Sequence, residues 1–436
     1  MHIYFSGIGG SGLAPLSQLA LDSGFKVSGS DSQPSLNTSE IEKRGIKVTF
    51  DQSGESLALT HQNNPVDWLV YTAGLPADHL ELVFARKNGI RTSKRDELTN
   101  FIIQKNELQA IAVAGTHGKT TTTAIIAWLF QQLDLPISYL IGTNISFGPS
   151  AKHDPHSKYF VFEADEFDKN FLHFTPHISV ITSLDFDHPD VYKSQEDYDQ
   201  AFRQFINQST YVVSWPSDLA KLSLPANSTK YTRFTDNNYS KETTFQESLS
   251  LKGNHFRQNA ELAYQVISTA LNETGEANQQ NYNQKIINSI NEFPGTQRRM
   301  EKLVDNLYTD YAHHPSEIQA TIQSASESDK NIIVVYQPHQ NIRQYSIMNQ
   351  YDHCFAEAEK VYWLPTYLTR EQGDLPVIEP HELISKVKSS NTIEIAQLDN
   401  DLKHKIYMHL KKGDTVVGMG AGSIDSWLRQ NFKINT

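Results

Sequence analysis

The stretch that most restricts the fold is an apolar run broken by glycine. Ala110 to Ala114 enters Gly115, Thr116, His117, Gly118, Lys119, Thr120 and Thr121, and the almost wholly apolar Ala124 to Phe130 follows. A buried strand, a glycine turn and a buried helix in that order call for a mainly parallel sheet covered by helices. The turn reads G-x-x-G-K-T, with Val113 where the longer G-x-x-x-x-G-K-[ST] pattern has its first glycine. Its chemistry survives the shortening. Backbone N–H groups and Lys119 face a triphosphate, and the Thr120 hydroxyl is placed to ligate Mg2+. Gly115 to Thr121 are therefore expected to bind a nucleoside triphosphate.

A second glycine turn lies at the N-terminal end. The strand Ile3 to Phe5 runs into Gly7, Ile8, Gly9, Gly10, Ser11 and Gly12, and a helical pattern with Leu13, Leu16, Leu19 and Ala20 follows. This is a Rossmann-like arrangement, in which glycines let the backbone approach a diphosphate at a helix N-terminus. A short strand at Lys26 to Ser28 leads to Asp31, about 20 residues on, where a carboxylate would hold a ribose hydroxyl. Further strands are expected at Trp68 to Tyr71, Tyr159 to Phe162, Ile178 to Leu184, Ile332 to Tyr336 and Thr415 to Gly418. Ligands in such sheets bind beyond the carboxyl ends of the strands, so the residues after each run are the candidates for chemistry.

Two acidic clusters occupy such positions. Glu163, Asp165, Glu166 and Asp168 follow one strand, and Asp185, Asp187, His188 and Asp190 follow the next. Crowded carboxylates repel one another unless a cation is present, and nucleotide-bound Mg2+ takes one or two carboxylate ligands.

The chain has 436 residues, a prior of about three domains. The polar stretch Gln104 to Glu107 and the breaker pair Pro294 and Gly295 suggest boundaries that give 1–104, 105–296 and 297–436. Leu222 to Ser250, a polar run, reads as a hairpin or surface excursion. A net charge of −12 argues against a protein that coats nucleic acid or an anionic membrane. The one cysteine, Cys354, the absence of a signal-peptide pattern and of any long apolar run point to a cytoplasmic protein. A nicotinamide-dependent oxidoreductase built on Gly7 to Gly12 would leave the second glycine turn and both acidic clusters without a role.

Taken together, Gly115 to Thr122 (GTHGKTTT), Glu163 to Asp168 (EADEFD), Asp187-His188 with Asp190 and Tyr192, Arg298 to Glu301 (RRME) and Asp310 to Pro315 (DYAHHP) resemble the Mur ligases of peptidoglycan synthesis. The likeness runs from Gly7 to the turn at Gly420 to Gly422. It implies an N-terminal Rossmann-like domain for a UDP-sugar, a central P-loop ATPase with a mainly parallel sheet, and a C-terminal Rossmann-like domain that closes over the site. Phe171 to Tyr192 and Gln337-Pro338-His339 with Arg343 are most like members that join L-alanine to UDP-N-acetylmuramate through an acyl phosphate, releasing ADP and phosphate. EADEFD and RRME lean toward members that return a murein tripeptide to the same sugar.

By this resemblance Lys119, Glu163, His188 and Arg298 are catalytic, and Thr120, Glu163 and His188 hold one or two Mg2+ ions. ATP is a co-substrate contacted by Gly115 to Thr121, Asn259, Arg299 and Asp310. Gly9, Gly10, Ser11, Gly12, Asp31, Thr72 and Gly74 hold the UDP-sugar, and His339 and Arg343 the amino acid. Arg95 would meet phosphate or solvent, and a monomer or weak homodimer is expected. Phe256, Thr309, Gln340, Asn341 and Ser183 depart from the family pattern.

Overall fold

In a computed structural model of the chain, residues 1–72, 74–187, 191–224, 245–274, 279–328, 331–369, 371, 375–389 and 392–432 are described. Among these residues three sheets carry the fold. The first has β1 (His2–Ser6), β2 (Lys26–Ser30), β3 (Lys47–Thr49), β4 (Trp68–Tyr71) and β5 (Arg91–Ser93) in the order β3-β2-β1-β4-β5. All its pairings are parallel. Strand order reverses at β1, so the turn that leaves it opens into the crevice where such sheets bind ligands.

The second sheet holds β6 (Gln109–Ala114), β7 (Ser138–Leu140), β8 (Ala151–Lys152), β9 (Tyr159–Glu163), β10 (Ile178–Ile181) and β11 (Tyr211–Ser214), ordered β11-β10-β6-β9-β7-β8. Only the edge strand β8 is antiparallel. The central strand β6 is buried along nearly its whole length, as its unbroken apolar run requires of a strand covered on both faces. The third sheet, β12 (Glu301–Val304), β13 (Leu307–Asp310), β14 (Ile332–Tyr336), β15 (Lys360–Trp363), β16 (Thr392–Ile395) and β17 (Thr415–Met419), is ordered β12-β13-β17-β14-β15-β16. It is parallel except at β12. The expected α/β class and mainly parallel sheets are those observed.

One expected strand is shorter than its apolar run. Ile178 to Leu184 pairs only as far as Ile181. Beyond Ile181 the backbone bonds to the end of β6 and the turn after it, Thr182 N–H to the Ala114 carbonyl and Thr116 N–H to the Ser183 carbonyl. The hydroxyls hold the same turn: Thr182 Oγ1 donates to the His117 carbonyl, and Ser183 Oγ accepts from the His117 N–H at 2.9 Å.

The chain divides into two compact units, 1–242 with 260–293, and 243–259 with 294–436. In the first, one continuous apolar core includes Ile3, Phe5 and Leu16 from the layers of the first sheet and Phe160, Phe162 and Phe205 from those of the second. The helix Arg95–Lys105 joins both through Leu98, Ile102 and Ile103. In the second unit, Gly253 N and Arg257 bind Glu327 at 3.0 and 2.7 Å, which fixes the segment before Asn259 against the helix Pro315–Ser326 and the turn after it. Cys354 is buried beneath that unit's aromatic core of Tyr336, Tyr351, Phe355 and Trp363. Burial raises its thiol pKa well above the ordinary range. Among the described residues no helix is long and apolar enough to cross a membrane.

Candidate active site

The turn after β6 is held open by backbone geometry. Gly115 has φ +129°, and a Cβ there would lie 2.4 Å from Thr182 Oγ1, so no side chain fits. Gly118 caps the helix Lys119–Gln132 in the left-handed conformation, which leaves the helix N-terminus facing the turn. The Thr116 hydroxyl donates to the Asp185 carbonyl at 2.6 Å, and His117 lies 3.7 Å from the Asp185 carboxylate. Thr121 is buried in the helix.

The acidic cluster after β9 surrounds this turn. Instead of crowding, its carboxylates fan out to separate partners. Glu163 accepts from the Thr120 hydroxyl at 2.9 Å and from the Gly142 N–H at 2.7 Å. Asp165 pairs with Arg95 at 2.8 Å and Asp168 with Lys94 at 2.5 Å. Glu166 takes the Lys119 ammonium on both oxygens, at 3.0 and 2.9 Å. The expected repulsion is thus relieved largely by the chain's own cations. Lys119 also donates to the Gly115 carbonyl at 2.6 Å, so its ammonium is folded back onto the turn. Burial works against this charge, but Glu166, Asp165 and Glu163 outweigh it and raise the lysine pKa. Asp168 and Lys169 both adopt left-handed φ of 56°, a strain held by the Lys94 pair and by a 2.8 Å pair between Lys169 and Asp197. His188 and Asp190 lie outside the described residues.

The glycine turn after β1 gathers its own candidates. Gly7 and Ile8 donate to the Ser30 carbonyl at 2.8 and 2.9 Å, and Asp31 accepts from the Gly9 N–H at 2.7 Å. A Cβ on Gly7 would lie 2.8 Å from the Thr72 methyl, so Thr72 flanks the same turn, whereas Gly74 is exposed. Beneath the turn, the fully buried Glu81 accepts from the hydroxyls of Tyr4 at 3.0 Å and Ser30 at 2.8 Å, and from Ser6. Sequence reasoning did not single out Glu81, and no motif signals it. A cleft of about 180 Å³ lined by Ser11, Gly12, Arg95, Lys119, Glu163 and Asp165 connects the two turns.

In the second unit, Arg298 has φ 57°, donates to the Gly420 carbonyl at 2.7 Å and lies 4.5 Å over the Tyr311 ring. Burial lowers its pKa, opposed by Asp425. Arg299 flanks the same ring at 5.3 Å. Asp310 is buried and accepts from the Met300 and Ala312 N–H groups at 2.7 and 2.8 Å. Burial raises its carboxyl pKa, against the pull of Arg299. Asn259 is buried, and the Phe256 ring packs tilted against that of His255, centroids 4.2 Å apart. Burial, with Arg299 adding to it, pushes the His255 imidazole down to about 4.

The amino-acid candidates also converge. Arg343 touches His313, whose ring lies 5.8 Å from that of His339, and Tyr367 stacks on His339 at 5.9 Å. His314 caps the helix Pro315–Ser326, a structural role. Of the departures, Asn341 is buried and binds the Pro376 carbonyl and the Ile378 N–H, each at 2.9 Å, Gln340 reaches Thr369, and Thr309 donates to Asp425 at 3.0 Å.

Three sequence profiles match the chain: "Mur ligase family, catalytic domain" over residues 2–106, "Mur ligase middle domain" over 113–286, and "Mur ligase, glutamate ligase domain" over 298–422. The chain belongs to the Mur ligase family. Mur ligase relatives named UDP-N-acetylmuramate--L-alanine ligase include that of Clostridium acetobutylicum, 32% identical over 97% of this chain and 95% of that protein. That of Acetivibrio thermocellus is 32% identical over 97% and 94%. Among solved structures, UDP-N-acetylmuramate-alanine ligase of Thermotoga maritima has TM-score 0.72 at 22% identity over 99% of this chain and 98% of that one. A murein peptide ligase of Psychrobacter arcticus has TM-score 0.62 at 21% identity, covering both chains fully. These two structures share the fold of this Mur ligase.

Proposed function

We propose that this Mur ligase joins L-alanine to the carboxylate of UDP-N-acetylmuramate at the expense of ATP, releasing ADP and phosphate, in peptidoglycan precursor synthesis. The observation that carries the reading is the 32% identity, over 97% of the chain, to a ligase named for those two substrates. We assign residues 1–104 to the UDP-sugar, 105–296 to ATP and 297–436 to the amino acid, in a cytoplasmic monomer or weak homodimer.

The Thr120 hydroxyl and the Glu163 carboxylate converge to 2.9 Å, and both are hard oxygen donors of the kind Mg2+ takes, so the pair fits that ion. Thr120 and Glu163, with His188, would hold Mg2+, which when bound supplies positive charge at the transferring phosphoryl group. The N–H groups of Gly115 to Gly118 cradle the ATP phosphates. Lys119 turns from Glu166 to the γ-phosphoryl as that group passes to the muramyl carboxylate, and Arg298 and Arg299 add charge to the phosphates. Asn259 serves the adenine and Asp310 the ribose. Gly9 to Gly12, Asp31, Thr72 and Gly74 fix the UDP-sugar. His339 and Arg343 hold the carboxylate of L-alanine through charge-assisted bonds. Its amine then attacks the acyl phosphate, the amide forms, and phosphate leaves.

Phosphate release with UDP-N-acetylmuramate, ATP and Mg2+ tests the reading when L-alanine, glycine, L-serine and the murein tripeptide are compared. Strongest stimulation by L-alanine is expected. Stimulation by the tripeptide alone would replace L-alanine as the acceptor, and none by any acceptor would sink the amide-ligase reading.

A further inference from the structure

The cleft between the two glycine turns has an unusual charge pattern for a site that must admit an anion. Among its lining residues the cations are Arg95 and Lys119, set against Asp96, Glu163 and Asp165. Lys119 is committed to Glu166 and its own turn. Arg95, at the start of the helix Arg95–Lys105, brings a positive charge to the turn after β1. One end of its guanidinium pairs with Asp165 at 2.8 Å, and its Nε lies 3.6 Å from Asp96. The other end, Nη1, lies 3.0 Å from where a Cβ on Gly12 would stand. Gly12 is thus bare where the guanidinium approaches the helix N-terminus, the place where a diphosphate is received by backbone N–H groups.

We propose that Arg95 binds the diphosphate of the UDP-sugar, and that Asp165, its partner at 2.8 Å, is an internal stand-in for that anion. The proposal rests on the UDP-sugar reading of the turn after β1. A planar guanidinium can hold two oxyanion groups on separate edges, so the diphosphate takes the edge facing Gly12 and competes with Asp165 for the charge. Arg95 stays 39% exposed on its side chain, so an entering ligand reaches it. Asp165 lies on the same loop as Glu163 and Glu166, so the exchange at Arg95 occurs one residue from the Lys119 partner.

Calorimetric titration of UDP and of UDP-N-acetylmuramate, without ATP, into the full chain tests this on wild type, R95A, R95K and D165N. A charge-assisted bond implies that R95A weakens both ligands roughly ten- to a hundredfold. R95K should recover part of the loss, and D165N should tighten both ligands because the competitor's charge is gone. The melting temperature and circular dichroism of each variant report an intact fold. Should R95A fail to fold, R95K and D165N still carry the test. Unchanged binding of UDP by R95A overturns the proposal, as does weakening confined to UDP-N-acetylmuramate, which would assign Arg95 to the muramyl carboxylate. Weakening by D165N equal to that of R95A also overturns it, since the pair would then be a strut. If wild type releases no phosphate with any acceptor yet binds UDP in an Arg95-dependent way, the ligase reading fails while this one stands. Turnover with unchanged UDP binding by R95A is the reverse case.

Discussion

Replacing Glu166 by glutamine should make ATP bind more tightly while making the protein less stable. The Lys119 ammonium is shared between both Glu166 oxygens, 2.9 and 3.0 Å away, and the Gly115 carbonyl at 2.6 Å. A triphosphate that needs Lys119 must displace Glu166. At an effective dielectric near 20, opposite charges about 2.9 Å apart attract by about 6 kcal/mol, most of which is regained when phosphate takes the carboxylate's place. The part that differs in Glu166→Gln is the charge assistance, about 1.5–3 kcal/mol for a hydrogen bond to an ionised group. ATP, measured by calorimetry in EDTA so that metal does not mask the effect, should therefore bind roughly ten- to a hundredfold more tightly.

Removing one partner of a buried pair costs about 3–5 kcal/mol. Asp165 and Glu163 still favour the lysine charge, so the low end is expected, read as a lower melting temperature. In a Lys119→Met background the same substitution should leave ATP affinity unchanged. If folded Glu166→Gln binds ATP no more tightly than wild type, or if the effect persists without Lys119, Glu166 does not compete for the lysine and the reasoning fails.

Other expectations follow from the same geometry. Glu163→Gln should reduce phosphate release by at least a hundredfold and raise the Mg2+ concentration needed for half-maximal rate, as a metal titration of turnover would show; an unchanged requirement removes Glu163 from the metal set. Arg343→Ala should raise KM for L-alanine roughly tenfold or more with KM for ATP nearly constant, checked by initial rates. Burial holds His255 in the fold at about 4, below the ordinary histidine value of 6.5, so the unfolded chain binds its proton first. Stability from this group is intact above pH 6.5 and is lost as pH falls toward 4. Against His255→Gln, the wild type should show a steeper loss of melting temperature in that window, and parallel curves would count against a buried neutral imidazole.

The legible parts of the fold are those whose residues are apolar without interruption. Trp68–Tyr71 and Ile332–Tyr336 appear at the expected bounds because strands buried on both faces need such runs. Short strands with polar residues, Arg91–Ser93, Ser138–Leu140 and Thr392–Ile395, left no comparable trace. At the candidate site, Lys119, Thr120 and Glu163 stand out because local motifs carry them. Their restraints do not, since the Arg95–Asp165 pair spans 70 residues and the Lys119–Glu166 pair spans 47. Four carboxylates in a row of six residues look alike on paper, and only tertiary structure assigns each its partner.

The lone thiol has a practical use. Cys354 is buried, and its raised pKa leaves almost none of it as the reactive thiolate at neutral pH. The native chain is in effect a cysteine-silent background, so a pair of cysteines introduced at exposed positions, such as Leu59 in the first unit and Tyr407 in the second, can be labelled with fluorophores without removing any wild-type residue from the core. Energy transfer between the dyes would then follow each substrate addition in real time on an otherwise native enzyme.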